Sequence, residues 1–274
     1  MTLREVFSSI ANAIRSKTGK TETIKPVDMA TEIESIQTSG VFNRLPQFVN
    51  GTLATITAKD LEGITKIRDS AFYDCRFLTN ITIPNSVTRI GSYAFRECSS
   101  LTSIDIPNSV TDIGYNAFEE CSSLTSITLP DNLGGIGAGT FRACESLTSI
   151  TLPDSVTYIG NSAFSQCSSL TSVNIPDGVT SLDSHAFDFC ESLTELTIPA
   201  NVTEIRTDAL QIGSSTNKAT ITMKPTTPPS IYSNTFTASY LNKIIVPAGC
   251  GDAYKSATNW SNFADYIEET TAWL

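Results

Sequence analysis

A strict 23-residue period is the feature of this sequence that most limits the folds open to it. Between positions 72 and 199, Phe, Cys, Leu and Pro each return at that spacing. The phenylalanines are Phe72, Phe95, Phe118, Phe141, Phe164 and Phe187, and the cysteines are Cys75, Cys98, Cys121, Cys144, Cys167 and Cys190. Residues at equivalent positions of successive repeats form a column, and several columns with one common spacing require one structural unit repeated along the chain. A fixed period of roughly 20–50 residues indicates a solenoid or array.

Each unit contains two extended pieces and a turn. In the segment Leu-Thr-Ser-Ile-x-Ile, residues two apart share one face of a strand, so Ile127 and Leu129 point inward and Thr128 points outward. A second extended piece covers 156–159, and Phe164 is predicted to lie on a helical or 3₁₀ turn that closes the core from the opposite side. One unit cannot close its own core, because its apolar side chains are covered only by neighbouring units. The pattern therefore predicts an α/β solenoid of stacked 23-residue rungs.

These repeats resemble the BspA-type leucine-rich repeats. The resemblance is carried by the strand segment, which matches the leucine-rich core L-x-x-L-x-L, and by the turn segment A-F-x-x-C-x-S-L, over roughly residues 61–210. That family is common in surface and adhesion proteins of gut and oral microbes. The resemblance implies a leucine-rich-repeat fold and a tendency to bind, and it supplies no catalytic residues. Residues 64–223 are predicted to form the solenoid, and residues 224–274 a degenerate repeat with a helical cap.

Residues 1–40 do not repeat and carry a different pattern. An i, i+3, i+4 spacing places five apolar residues on one side of a predicted helix, namely Leu3, Val6, Phe7, Ile10 and Ile14. A second short helix is expected to follow, and residues 41–63 read as a degenerate N-terminal cap. Two short helices cannot bury both apolar stripes alone. Residues 1–40 are therefore interpreted as an attachment or oligomerisation module, for example in a homotrimer, with packing on the first repeat as the alternative.

Part of this segment resembles a sequence found at the start of phage and prophage structural proteins. The resemblance is limited to two short stretches, 10–19 and 24–33. In that family the segment precedes varied downstream domains, which implies docking to a shared partner. The resemblance therefore implies contacts with other virion proteins through the N-terminal helices.

The cysteine column admits three interpretations. Metal sites favour C-x-x-C pairs with histidine partners, and neither occurs here. Disulfides between rungs would need an oxidising compartment, whereas the N-terminus shows no basic segment followed by an apolar core, as a secretory signal would. The favoured interpretation is a ladder of buried thiols that act as small hydrophobic groups. No metal and no cofactor are predicted.

The outward strand position offers a candidate ligand surface. It carries mostly short polar side chains: Thr82, Asp105, Thr128, Thr151, Asn174 and Thr197. Tyrosines in variable columns add candidate contact residues: Tyr93, Tyr115 and Tyr158. A host-surface protein or a glycan could bind here. The alternative is that threonine simply suits strands and keeps the sheet in solution. His185 is predicted to be a surface residue rather than a catalyst.

Composition and motifs argue against several functional classes. With 18 basic and 28 acidic side chains the formal net charge is −10, which opposes nucleic-acid binding by the overall field. No apolar run approaches the roughly 18–20 residues of a membrane helix, so no membrane insertion is predicted. The sequence has no phosphate-binding glycine loop, no G-x-S-x-G and no H-E-x-x-H. We therefore predict a protein that is not an enzyme.

Three functional hypotheses follow from the two resemblances. The first is a non-enzymatic virion protein, of the tail-fibre, receptor-binding or head-decoration type, that displays the repeats to a host or mucosal surface. The second is a BspA-like adhesin on the bacterial cell surface, which would require a longer N-terminus for export. The third is a cytoplasmic protein-interaction scaffold.

Overall fold

The structure, a computed structural model, describes residues 55–271 and shows a parallel β-solenoid of about nine turns. The strands predicted from Leu-Thr-Ser-Ile-x-Ile stack in register along one side of the rod. We call them the first ladder; pairing partners such as Ile104 and Ile127 occupy the same position in successive repeats. The strands are Thr55–Ile56, Asn80–Ile81, Ser103–Asp105, Ser126–Thr128, Ser149–Ile150, Ser172–Val173, Glu195–Ile198, Ala219–Met223, Leu241–Val246 and Ile267–Glu269.

A second parallel ladder follows the proline of each rung. Its strands are Lys66–Ile67, Arg89–Ile90, Asp112–Ile113, Ser181–Leu182, Glu204–Ile205 and Ser230–Ile231. Single bridges continue the pairing from Ile136 to Ile159 and on to Leu182. The apolar residue of each pair is buried, and the residue before it points outward. Each rung therefore presents two outward strand columns on different sides of the rod.

The third side of each rung consists of turns. The sequence predicted a helical or 3₁₀ turn around Phe164, but the structure has hydrogen-bonded turns without a helix at residues 161–166. Ser162 and Gln166 have positive φ values of 54° and 63°. Both residues and Phe164 donate their backbone N–H groups to carbonyls of the next rung, Gln166 to Asp188 at 2.7 Å. The backbone therefore pairs between rungs on this side as well, which a helix, with its bonds within one segment, would prevent.

The phenylalanine and cysteine columns form the interior behind these turns. Neighbouring rings are nearly parallel, and their centroids lie 5.2 Å apart for Phe164 and Phe187. Five of the cysteines, Cys98 to Cys190 in the column, are fully buried, and every cysteine in residues 55–271 is a free thiol. Each buried thiol also donates to the carbonyl of a phenylalanine on the preceding rung, as Cys144 does to Phe118 at 3.2 Å. Cys75, on the first rung of the column, is partly exposed.

The C-terminal end is closed by a small helical cap. One α-helix spans Gly251–Ser256, and 3₁₀ helices span Ala238–Tyr240 and Trp260–Tyr266. Tyr254 and Trp260 are fully buried, and each donates to a proline carbonyl, those of Pro225 and Pro229, at 2.7 Å. Large aromatic side chains thus replace the missing next rung at this end.

The predictions for the N-terminal module fall on residues outside the described range. This holds for the stripe formed by Leu3, Val6, Phe7, Ile10 and Ile14, for all of residues 1–40, and for most of 41–63. The domain boundaries, the trimer and the docking to virion proteins therefore stay predictions. Within residues 55–271, no helix combines the length and apolar character that crossing a bilayer needs.

Candidate binding surfaces

The first ladder presents its predicted column to solvent. Thr82, Asp105, Thr128, Thr151, Asn174 and Thr197 are all exposed. We call this column the strand face. Most residues that flank these members in the chain, such as Ile150 and Leu152, are buried, as the alternation of a strand requires. Ile127 and Val173 are half-buried. The structure therefore offers a regular row of short polar side chains, repeated on successive rungs.

Two parts of the strand face are already engaged within the protein. Thr128 donates its hydroxyl to the Asp105 carboxylate at 2.6 Å. Asn174 bonds twice to the backbone of Leu152, donating to its carbonyl at 3.0 Å and accepting from its N–H at 2.9 Å. The Asn174 amide thus bridges a gap in the backbone pairing between two rungs. Its role is structural, whereas Thr82, Thr151 and Thr197 leave their hydroxyls towards solvent.

The three predicted tyrosines are exposed but do not lie on the strand face. Tyr158 projects from the second ladder and lies against Gly135, where an added Cβ would come within 2.1 Å of its ring. Tyr115 lies similarly against Gly137, with 3.2 Å between its ring and an added Cβ. The small glycines therefore make room for a tyrosine pair on another side of the rod.

Tyr93 occupies yet another place, at the turns. The Arg96 guanidinium carbon lies 5.9 Å from its ring centroid and 5.7 Å from that of Tyr73. The guanidinium therefore makes cation–π contacts with two tyrosines. The structure thus divides the predicted contact residues among three surfaces.

The outward residues of the turns form a third surface, which we call the turn face. One column contains Tyr73, Arg96, Glu119, Arg142, Ser165 and Asp188 on successive rungs. Glu119 is only 2% exposed and accepts from Arg142 at 2.7 Å and from Asn116 at 3.0 Å. Arg96 lies 3.0 Å from the other side of the same carboxylate. A buried carboxylate held between two arginines links three rungs through charge-assisted contacts.

A cavity of about 380 Å³ opens on the turn face beyond Arg142. Its floor is formed by short residues, among them Gly139, Ser162 and Ser165, and its walls by Arg142 on one side and by His185 and Asp188 on the other. The depression exists because Ser165 stands in a column where the two preceding rungs carry Glu119 and Arg142. Sequence reasoning missed this cavity. The sequence did contain a signal. The small residues Gly139, Ser162 and Ser165 occupy turn positions at which other repeats carry larger side chains.

Asp188 is the one carboxylate among the residues that line the cavity. Its Oδ2 lies 3.0 Å from Nδ1 of the partly exposed His185, while Oδ1 is buried. Burial raises the pKa of Asp188 above its ordinary value and the nearby Asp208 adds to the rise, whereas His185 and a backbone hydrogen bond with Phe189 oppose it. His185, predicted as a surface residue, therefore serves as a hydrogen-bond partner at the rim of the cavity.

The cysteine column shows no sign of metal or redox chemistry in the described range. No group of three or more His, Cys, Asp or Glu side chains within residues 55–271 could hold a metal ion. Burial raises the pKa of Cys167 to about 12 and raises the pKa of Cys144 as well. Since the thiolate is the reactive form, these thiols are inert at neutral pH. Their interior position supports the predicted packing role.

The geometry of this solenoid defines the leucine-rich-repeat class, and comparison with known families gives the particular one. The profile of the BspA type leucine-rich repeat region matches six copies over residues 65–193 and 134–263. The chain belongs to this family. The resemblance inferred from the 23-residue unit is thereby confirmed. No catalytic family is shown for the chain.

Solved structures support the fold. A leucine-rich repeat protein of T. pallidum is 35% identical, with a TM-score of 0.53 over 56% of this chain and 73% of that one. A leucine-rich repeat protein from Bacteroides ovatus is 24% identical, with a TM-score of 0.56 over 80% of this chain and 61% of that one. A third, from Eubacterium ventriosum, is 24% identical, with a TM-score of 0.53, and the chain spans only 42% of its length.

The comparisons do not support the virion interpretation. A search among curated proteins finds no match, and the relatives described above are bacterial leucine-rich repeat proteins. The virion hypothesis therefore stays a prediction that depends on the N-terminal residues alone. The family membership fits the adhesin alternative better.

Proposed function

We propose that this chain is a non-enzymatic adhesin of the BspA type, displayed at a bacterial cell surface, that binds a host protein through the strand face. The observation that carries the proposal is the exposed, regular row of short polar side chains along the first ladder. The cavity described above lies on the turn face and not on this row. A flat area suits a protein partner, because protein interfaces gain affinity from many contacts over a large area.

The dimensions of the strand face fit such an interface. Strands of one ladder lie about 4.8 Å apart, so the six rungs from Thr82 to Thr197 span roughly 24 Å. A standard interface covers about 800 Å² on each partner, which this length can supply together with the flanking outward columns. The parallel pairing of the strands and the stacked phenylalanine rings in the interior hold the rungs in fixed register, so little conformational entropy is lost when a partner binds.

The test compares two triple variants in binding of labelled protein to host epithelial cells. Thr82→Arg, Thr151→Arg and Thr197→Arg together place three bulky charges on the strand face. The matched control carries Thr111→Arg, Thr157→Arg and Thr203→Arg, three exposed threonines beside the second ladder. We expect the strand-face variant to lose binding and the control to retain it. Equal binding by both variants, with unchanged melting temperatures, would show that the strand face is not the interface.

The cellular location separates the adhesin from the other two hypotheses. Antibody labelling of intact cells of the source bacterium is expected to detect the protein at the surface. Protein found only in the cytosolic fraction would favour the scaffold hypothesis. Protein found in purified phage particles would favour the virion hypothesis, in which residues 1–40 attach the repeats to other virion proteins.

A further inference from the structure

Two exposed tyrosines lie on a glycine-rich rung on the second-ladder side of the rod. Tyr115 is 60% exposed and Tyr158 is 49% exposed. Tyr115 reaches onto this rung from the rung before it and lies against Gly137, whereas Tyr158 reaches back from the rung after it and lies against Gly135. Burial raises the pKa of Tyr158, and Tyr115 adds to the rise, so the two phenol groups lie within electrostatic reach of each other. We call this pair of rings, together with Gly134, Gly135 and Gly137 of the shared rung, the tyrosine platform.

The glycine at position 134 is not required by the packing of the fold. An added Cβ there would meet no atom within 4 Å, and the residue is not among those with a positive φ. Ile136 pairs with Ile159 at the regular 23-residue spacing, so the segment contains no bulge. The same position on the other rungs carries an exposed threonine: Thr88, Thr111, Thr157, Thr180 and Thr203. A glycine in an extended segment without a bulge or bend is typical of a place where a ligand or another backbone approaches closely.

The middle of the rod, which contains the tyrosine platform, is strongly acidic. Residues 103–210 contain 14 Asp and Glu residues, two arginines, both in ion pairs, and no lysine, whereas residues 55–102 contain five acidic and six basic residues. Beside Tyr158, Asp112 is paired with Arg89 at 3.0 Å, so this pair adds no net charge. The corner before the second ladder carries exposed aspartates on three successive rungs: Asp131, Asp154 and Asp177. The platform therefore lies in a negative field, which attracts a cationic partner and repels an anionic one.

Exposed tyrosine rings in a negative field favour a cationic side chain as the ligand. The face of a tyrosine ring attracts a guanidinium or ammonium group within about 6 Å of its centroid. The protein already contains such contacts, since the Arg96 guanidinium carbon lies 5.7 Å from the ring centroid of Tyr73 and 5.9 Å from that of Tyr93. Arginine suits the platform better than lysine, because its planar guanidinium stacks on aromatic faces and is more weakly hydrated. A neutral sugar would contact the rings but gain nothing from the negative field.

We infer that the tyrosine platform is a docking surface for an arginine-rich segment of a partner protein. An arginine side chain packs on the rings of Tyr115 and Tyr158, and the backbone of the segment passes close to Gly134. The carboxylates of the neighbouring rungs, among them Asp131 and Asp154, add long-range attraction. The platform lies on a different side of the rod from the strand face and shares no residue with it. The inference therefore stands independently of the proposed adhesin interface.

The experiment is isothermal titration calorimetry of the full chain with three peptides and one sugar. The peptides repeat the triplet Arg-Gly-Ser, Lys-Gly-Ser or Gln-Gly-Ser four times, and the sugar is maltohexaose. We expect the arginine peptide to bind at least tenfold more tightly than the glutamine peptide, and several-fold more tightly than the lysine peptide, which has the same charge. Its affinity should fall as the salt concentration rises from about 50 to 300 mM, because salt screens the field of the acidic rungs.

The principal variant combines Tyr115→Ser with Tyr158→Ser. It removes both rings without changing the net charge, and it copies Ser92 and Ser181, which occupy the same columns on other rungs. The fold therefore tolerates the new side chains, and the general attraction between a cationic peptide and an acidic protein is preserved. We expect about tenfold weaker binding of the arginine peptide, with a melting temperature close to that of the wild type.

The matched control combines Tyr73→Ser with Tyr93→Ser, which removes two similarly exposed tyrosines at the turns. It should bind the arginine peptide as the wild type does. Gly134→Thr tests the close approach of the peptide backbone, because it restores the threonine that the other rungs carry. Its melting temperature should stay at or above that of the wild type, while its binding of the arginine peptide weakens several-fold.

Four results would overturn the inference. The first is no binding of the arginine peptide, and the second is equal affinity for the arginine and glutamine peptides. The third is equal affinity for the arginine peptide in the wild type and in the variant that lacks the Tyr115 and Tyr158 rings. The fourth is binding of maltohexaose but not of the arginine peptide, which would assign the rings to a glycan.

Host-cell binding separates this inference from the proposed adhesin interface. The strand-face variant carrying Thr82→Arg, Thr151→Arg and Thr197→Arg should lose host-cell binding but keep most of its affinity for the arginine peptide. The variant that lacks the Tyr115 and Tyr158 rings should show the reverse. Failure of the first expectation on host cells counts against the adhesin interface alone, and failure of the peptide to bind counts against the platform alone.

Discussion

The strand face and the turn face belong to the same rungs, yet they differ in what their outward side chains do. On the strand face the column holds short residues, and successive rungs look nearly alike. On the turn face Glu119 connects Arg96 and Arg142, and two rungs further on, Asp188 borders a cavity. The comparison shows that a uniform backbone produces an uneven surface only where side-chain length varies between rungs. Each prediction below tests one part of this difference.

The largest effect is expected from the interior of the turn side. Phe164→Ala should lower the free energy of unfolding by about 3–5 kcal/mol, because it leaves a cavity between the stacked rings of Phe141 and Phe187. Urea unfolding followed by circular dichroism measures the loss. Phe77→Ala, a matched change at a ring that is 58% exposed, should change it by less than about 0.5 kcal/mol. Similar losses for both would contradict the view that the turns are held by the ring stack.

The next largest effect concerns the buried carboxylate of the turn face. Glu119→Ala removes the shared partner of Arg96 and Arg142 and should cost about 1–3 kcal/mol of unfolding free energy. The neighbouring Glu120→Ala is the control. Its carboxylate is exposed and lies 3.5 Å from Arg96, so its loss should cost less than about 1 kcal/mol. Thermal unfolding of the two variants in one buffer compares them. Equal losses of unfolding free energy in the two variants would mean that the burial of Glu119 adds nothing to stability.

A smaller effect is expected from the pH dependence of Asp188. Burial raises its pKa in the folded state, so the folded protein binds the proton more tightly than the unfolded chain does. Stability therefore falls as pH rises from the ordinary Asp pKa through the raised value. Asp188→Asn cannot lose a proton and should escape this fall. The difference in unfolding free energy between variant and wild type should shift in favour of the variant between pH 4 and pH 7. Parallel pH profiles would contradict the assignment.

The smallest effect is expected on the strand face. Thr151→Ala should change the unfolding free energy by less than about 0.5 kcal/mol, because Thr151 is an exposed residue. Its effect on host-cell binding should also be modest, since the proposed interface spreads its contacts over several rungs. Urea unfolding and the cell-binding assay measure the two effects. Complete loss of binding in this single variant would indicate a discrete pocket on the strand face instead of an extended one.

The repetitive part of the fold could be predicted from the sequence in some detail. The burial of Phe164 and Cys167 and the exposure of Thr151 follow from one 23-residue unit, because each rung repeats the environment of the last. The bond from each buried thiol to a phenylalanine carbonyl could not be predicted. It depends on the close approach of atoms on neighbouring rungs, which spacing along the chain alone does not define.

The candidate sites could be predicted only in part. The strand face follows from alternation along a strand, although its use by a ligand stays a prediction. The separation of Tyr115 and Tyr158 from that face depends on where the second ladder lies, and the cavity depends on which columns become neighbours across rungs. Glu119 is one of several carboxylates on the turns. Only its position between Arg96 and Arg142 shows that it is a buried ionic partner.

The sequence by itself determined the repeating backbone of this protein, because a strict period gives every unit the same local preferences and the same apolar columns to bury. The tertiary structure decided where individual side chains meet. Gly139, Ser165 and Asp188 belong to three successive rungs, and they line one cavity only after the rungs have stacked. Packing between rungs brings together side chains that are far apart along the chain. The cavity is therefore a property of the stack and not of any single repeat.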